Sequence, residues 1–245
     1  MRIEVRNLVV NRGTMRTVDG VGFSLGPGEW AGVVGANGSG KTSMLRAVAG
    51  RLEAYAGAII VDSQDRTGDR GWRARHFGFA PDISSFPDML TGSELFSIIT
   101  PDWEKTTGVG CSARLRQALD FDRFIERRIG ELSAGMKQRL AIFSAFLSMP
   151  QLIILDEPFN WLDPVCAYDT KEALRELAGE GLTIITALHE MSTLVGYCSS
   201  GLLLADGRIG RRLDSAEIET GRRDYSAFEA RMIQGLRPVA SSTTG

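Results

Sequence analysis

The segment Gly35-Ala-Asn-Gly-Ser-Gly-Lys41-Thr42 constrains this chain more than any other. It fits G-x-x-x-x-G-K-[ST] without a mismatch. Its glycines permit positive φ and keep side chains out of the way, so backbone N–H groups can converge on an anion. Trp30-Ala-Gly-Val-Val34 reads as a short buried strand running into the loop. Lys41–Ala49 reads as a helix stopped at Gly50. Strand, glycine-rich loop and helix start together place a helix N-terminus at the anion. A nucleotide polyphosphate is therefore expected on Gly35, Ala36, Asn37, Gly38, Ser39, Gly40, Lys41, Thr42 and Ser43. Lys41 is expected at the β/γ-phosphates and Thr42 on Mg²⁺.

The rest of the composition removes other functions. The chain has 245 residues and a formal net charge of −2, enough for one large domain or two intimate lobes. Near-balanced charge gives no nucleic-acid surface. The run from Arg70 to Arg75, with Arg73 and Arg75 around Trp72, reads as a solvated face. Cys111, Cys166 and Cys198 are isolated and form no CxxC pair, which argues against disulfides or zinc and suits a reducing compartment. No apolar run approaches the ~18 residues of a membrane span. The N-terminus lacks a signal-peptide core. A soluble chain is expected, with any membrane role supplied by a partner.

Residues 3–10 and 18–25 read as alternating strands, and 58–61 and 77–80 as short ones. Between Asp82 and Ser133 the texture turns helical, with pieces at 91–99, 113–121 and 124–129. A helix from Ala134 to Leu147 follows. Strands at 152–155, 182–187 and 202–205 then alternate with helices at 167–178 and 190–197. Such alternation predicts an α/β fold with a mainly parallel sheet covered on both faces. The expected domain spans 1–220, with a core lobe at about 1–81 and 150–220 and an inserted helical lobe at about 82–149. Residues 221–245 are read as an extension, its end from Pro238 a frayed tail.

Leu152-Ile-Ile-Leu155 is continuously apolar, as a central parallel strand requires. Asp156 at its end sits where such sheets place ligands, and is expected to hold Mg²⁺ directly or through water. Glu157 follows and is expected to polarise an attacking water. His189 ends another apolar run and is expected to contact the γ-phosphate and orient that water. Ser133 is a candidate helix N-cap. With Ala134, Gly135 and Met136 it also forms a helix-start anion site. That site lies in the inserted lobe, so it is expected to serve the nucleotide of a second subunit.

With these residues in their order, the chain resembles the ATP-binding-cassette ATPases, the nucleotide-binding subunits of ABC transporters. The resemblance spans about residues 1–215. Leu132-Ser-Ala-Gly-Met136 looks like the family's LSGGQ signature and Asn160-Trp-Leu-Asp163 like its D-loop, with Asp163 as its acidic residue. His189 matches the switch histidine. The resemblance implies a P-loop NTPase, RecA-like core with an antiparallel β-subdomain and a helical subdomain. It implies Mg²⁺-dependent ATP hydrolysis in a head-to-tail dimer, homo- or heteromeric, in which each ATP lies between one phosphate loop and the other subunit's signature. It also implies integral membrane permease subunits and a cytoplasmic chain held on the membrane's inner face by them.

Four positions depart from the family pattern. The glutamine loop reads Pro81-Asp82, and Asp82 is a harder oxygen donor for Mg²⁺. Asp82 and Met136 resemble a branch of export-type cassettes, so export is the expected direction. The adenine-stacking aromatic is missing near Asn11-Arg12-Gly13; Arg12 is expected to stack on the base instead, which leaves ATP preference over GTP open. Trp161 is bulky for a D-loop and packs either across a subunit contact or between the lobes. A soluble cassette ATPase of cofactor or iron–sulfur-cluster assembly is the alternative function. A DNA-repair cassette lacks its long heptad insertion here, and a small-molecule kinase does not explain the signature or His189.

Overall fold

The computed structural model describes residues 1–104 and 111–236. The sequence-read frayed tail from Pro238 lies outside these residues. Two sheets form the frame. The first is antiparallel, in the order β2-β1-β4-β5, with β1 at Ile3–Arg12, β2 at Met15–Leu25, β4 at Ala56–Val61 and β5 at Gln64–Asp65. The second has the order β10-β9-β3-β8-β7-β6. Its strands are β3 (Trp30–Val34), β6 (Phe77–Phe79), β7 (Leu152–Asp156), β8 (Thr183–Leu188), β9 (Ser200–Ala205) and the antiparallel edge β10 (Arg208–Leu213). Between the strands of 3–79 and those of 152–213, the described residues build helices and turns but no named strand.

The parallel register places the site. Val34 pairs with Leu188, and Asp156 with Ala187. The C-terminal ends of β3, β8 and β7 therefore meet at one edge, which is where an open α/β sheet receives ligands. Trp30 Nε1 donates to Thr186 Oγ1 at 2.8 Å, a buried bond that ties β3 to β8. Helix α1 (Lys41–Val48) packs between the two sheets, where Met44, Leu45, Ala47 and Val48 join one apolar core with Ile3, Ile59 and Ile154.

A second core fills the other face of the parallel sheet and reaches into the helical region. There α3 (Gly92–Ile99), α4 (Cys111–Ala118) and α5 (Ala134–Ser144) surround an aromatic cluster. Phe121 stacks on Phe143 with centroids 4.4 Å apart and on Phe96 at 5.6 Å, and Trp103 meets Phe96 edge-on.

Two readings of the sequence are corrected. The piece at 124–129 is not a helix: Ile129 N–H donates to the Leu90 carbonyl at 2.8 Å, and Thr91 bridges Arg128, so its backbone is used by a neighbouring segment. The arginine run is not a solvated face throughout. It forms α2 (Arg70–His76), and Arg73 in it is fully buried. Its guanidinium donates to Val48 O at 3.1 Å, Ala47 O at 3.3 Å and Thr67 O at 2.7 Å. A cation thus satisfies the terminal carbonyls of α1, where the helix dipole favours positive charge. Two further helices follow β10: α8 (Ser215–Arg223), opened by an Asp214/Glu217 capping box, and α9 (Tyr225–Leu236), whose Phe228 and Met232 enter the second core.

Phe121→Ala removes the centre of the aromatic cluster. It is expected to lower stability by about 3–5 kcal/mol in urea unfolding monitored by circular dichroism. A loss under ~1 kcal/mol contradicts the packing described here.

Candidate nucleotide site

The phosphate loop is held by its own glycines. Gly40 has φ 102, and a Cβ there meets the Thr17 carbonyl at 2.2 Å. A Cβ on Gly35 meets the Leu204 carbonyl at the same distance. Gly207 N–H donates to Ser39 O at 3.0 Å. Ala36, Asn37 and Gly38 remain exposed, whereas Ser39, Lys41 and Ser43 are buried. Lys41 Nζ folds back onto the carbonyls of Gly35 at 2.8 Å and Ala36 at 3.2 Å.

Glu157 and His189 stand beside the lysine. Glu157 Oε1 lies 3.9 Å from Lys41 Nζ. Its Oε2 is 2.6 Å from His189 Nε2 and accepts from Asn160 Nδ2 at 3.2 Å. Glu157 has φ 52, and its N–H donates to Ala187 O at 3.2 Å. A non-glycine residue in the left-handed region is uncommon and clusters at functional sites. The turn after β7 thus brings the carboxylate back toward β8 and the histidine.

Two clefts flank this group. One, of about 310 Å³, is lined by Thr42, Arg46, Asp82, Gln138, Asp156 and Glu157, among others. The other, of about 550 Å³, runs along Asn37–Ser43 with Arg12, Met15 and Glu157. Asp156 Oδ1 is buried with no hydrogen-bond partner, as is Ser39 Oγ. Burial pushes the Asp156 carboxyl above its ordinary range, the Thr42 hydroxyl acts against this, and adjacent Glu157 adds to the rise. Asp82 caps a short 3₁₀ turn, accepting from Ser84 N at 2.9 Å and Ser84 Oγ at 2.7 Å, which hold its carboxyl below the usual range. Among the described residues, no three His, Cys, Asp or Glu close on one metal position. That fits a cation such as Mg²⁺, which takes one or two carboxylates and completes its shell with water and phosphate. The orphaned Asp156 oxygen beside Thr42 suits such an ion.

The signature residues lie elsewhere. Ser133 is the N-cap of α5 and accepts from Met136 N at 3.2 Å. Ser133 and Ala134 are exposed, and none of Ser133, Ala134, Gly135 or Met136 lines either cleft. Gly135 abuts the D-loop, since a Cβ on it meets Trp161 O at 2.6 Å. Asp163 caps α6 (Pro164–Gly179), accepting from Cys166 N at 3.0 Å, and pairs with Arg139 of α5 at 2.5 Å. Trp161 is 70% exposed at the rim of the Asp82–Asp156 cleft. Arg12 lines the phosphate-loop cleft, together with Met15, which the sequence reading missed. Met15 is 69% exposed at the start of β2, and its only sequence signal is a large apolar residue just past the Gly13-Thr14 turn.

Comparison with known proteins now decides the family. The model of the ABC transporter family matches residues 18–160. The chain belongs to the ABC transporter family, as an ATP-binding cassette. It is 30% identical over 220 residues to the hemin import ATP-binding protein HmuV of Pseudomonas aeruginosa, covering 84% of each chain. It is 32% identical over 223 residues to the energy-coupling factor transporter ATP-binding protein EcfA1 of Streptococcus agalactiae, covering 84% of this chain and 77% of that one. A solved ATP-binding subunit of an ABC transporter superposes with a TM-score of 0.78 at 26% identity, covering 95% of this cassette and 100% of that chain. The two sheets and the phosphate-loop helix are thus those of an ABC cassette. These relatives give no support to the export-type branch expected from Asp82 and Met136. Asp82 caps a 3₁₀ turn and Met136 lies in the first turn of α5, local roles that carry no information about the direction of transport.

Asp156→Asn tests the burial cost directly. The folded carboxyl has a raised pKa, so its penalty is absent below the unfolded value of 3.8, grows between that and the folded value, and is complete above it. In metal-free protein the amide is expected to raise the melting temperature at about pH 8, with the gain vanishing near about pH 4. A lower melting temperature at the higher pH contradicts the account.

Proposed function

We propose that this cassette hydrolyses ATP with Mg²⁺ and powers transport through separate membrane subunits. The observation that carries this is the Lys41–Glu157–His189 group at three adjacent strand ends, with Glu157 2.6 Å from the histidine and 3.9 Å from the lysine. Loop amides and Lys41 bind the triphosphate of the nucleotide. Arg12 and Met15 flank its base. Thr42, Asp82 and Asp156 would hold Mg²⁺, which when bound neutralises phosphate charge. Glu157 takes the proton of the attacking water, and His189 fixes the orientation of that carboxylate.

The signature works on a second cassette. Ser133 and the amides at the start of α5 are exposed and outside their own subunit's clefts, so they are free to cap another subunit's nucleotide. No helix among the described residues is long and apolar enough to cross a membrane. A partner permease supplies the membrane path in this reading, which the relatives' names as ATP-binding proteins of transporters support. Met89 and Ile98, 75% and 70% exposed on the helical region, offer that partner apolar contact. The names of the relatives favour import over export, and lend no support to cofactor or iron–sulfur assembly. Purification from membranes with identification of the bound integral protein tests the transport reading; recovery of no membrane protein counts against it.

Glu157→Gln keeps the shape of the side chain and removes its charge. Phosphate release is expected to fall by at least ~100-fold with ATP affinity preserved in calorimetry. Near-normal turnover removes Glu157 from the role of base.

A further inference from the structure

Gln138 is a polar side chain at a buried position of α5, only 8% exposed. Its sequence neighbours are both engaged: Lys137 Nζ pairs with Asp88 at 3.2 Å, and Arg139 with Asp163 at 2.5 Å. The Gln138 carboxamide makes no hydrogen bond among the described residues. Buried amides are nearly always hydrogen-bonded, and one left without a partner costs free energy.

The carboxamide is not enclosed in apolar core. It lines the cleft of about 310 Å³ together with Thr42, Asp82, Asp156 and Glu157. It reaches that cleft because α5 packs on the 3₁₀ turn Ile83–Ser85, directly after Asp82. Asp156 Oδ1 is a second buried atom without a partner on the same cleft. Asp82 is exposed, and its Oδ1 already accepts from Ser84 N and Ser84 Oγ. Two unpartnered polar groups on one cleft point to one shared polar ligand. Arg46 also lines the cleft, but the carboxylates of Asp82, Asp156 and Glu157 outnumber it, so that ligand is a cation.

Mg²⁺ sheds its waters reluctantly and is held by one or two carboxylates plus phosphate. Its remaining waters turn their protons outward, and a carboxamide oxygen accepts such protons. We propose that Gln138 positions the hydrated Mg²⁺ of the nucleotide bound by its own chain, its Oε1 accepting from a water of the cation's shell. This rests on the MgATP reading above and adds a residue to it. Helix α5 then serves two nucleotides. Its exposed start caps that of a second cassette, and Gln138, one turn further on, serves that of its own.

Calorimetry on the full chain with a non-hydrolysable ATP analogue, once in Mg²⁺ and once in EDTA, provides the test. The ratio of the two affinities measures what the cation adds. Gln138→Leu roughly keeps the volume and removes both amide groups. Its affinity in EDTA is expected to match that of the unmutated chain, while its gain from Mg²⁺ falls by roughly 5–20-fold. Its melting temperature without nucleotide or metal is expected to rise, because an unpartnered buried amide is gone. A residue that only packs would not separate these readouts. Gln138→Glu retains an oxygen acceptor and is expected to keep a Mg²⁺ gain at least as large as that of the unmutated chain. An unchanged gain in Gln138→Leu overturns the assignment and leaves the Thr42–Asp156 metal site standing. So does a lower melting temperature in that variant, or a gain in Gln138→Glu as small as in Gln138→Leu. If the unmutated chain gains nothing from Mg²⁺, the metal reading falls and this assignment with it.

Discussion

Backbone packed against backbone holds the phosphate loop in place, and the site depends on that contact. Gly35 lies against the Leu204 carbonyl of the parallel sheet, and Gly40 against the Thr17 carbonyl of the antiparallel one; neither tolerates a Cβ. The loop is therefore fixed to both sheets before any ligand arrives. Donors fixed in advance pay no reorganisation when charge appears, which is the basis of electrostatic catalysis. The helix that follows is fixed at its far end too, where buried Arg73 satisfies the Ala47 and Val48 carbonyls.

From this frame the chemistry follows by register. β8 runs between β3 and β7, so His189 emerges between the phosphate loop and the Asp156-Glu157 pair. The left-handed turn at Glu157 completes the approach to 2.6 Å from the imidazole. The same turn continues into the D-loop, where Trp161 touches Gly135 and Asp163 pairs with Arg139. Site and signature are thereby linked in one chain through a short, strained segment.

Much of this was legible because apolar runs and glycine spacing carry their own geometry. Trp30–Val34 and Leu152–Leu155 are buried on both faces and read as central strands without help. The residues expected at the nucleotide, from Gly35 to Ser43 with Asp156, Glu157 and His189, lie together at one sheet edge. Arg73 was not legible, since an arginine among arginines looks solvated until a helix end needs its donors. The segment 124–129 looked helical because its partner, Leu90-Thr91, is distant in sequence. Met15 has no periodic signal at all. Strand β10 and helices α8 and α9 carry only weak patterns, and their caps become plain once Asp214 and Glu217 are seen bonded.

The central claim is that phosphate loop and signature act on one nucleotide from two subunits. Ser133→Arg tests it most directly, because Ser133 is exposed and remote from its own loop, while a cation at a helix start opposes the dipole. ATP affinity of the variant, by calorimetry, and its phosphate release are measured side by side. The account predicts unchanged affinity and turnover reduced by roughly 100-fold or more. Robust hydrolysis by Ser133→Arg alone contradicts it.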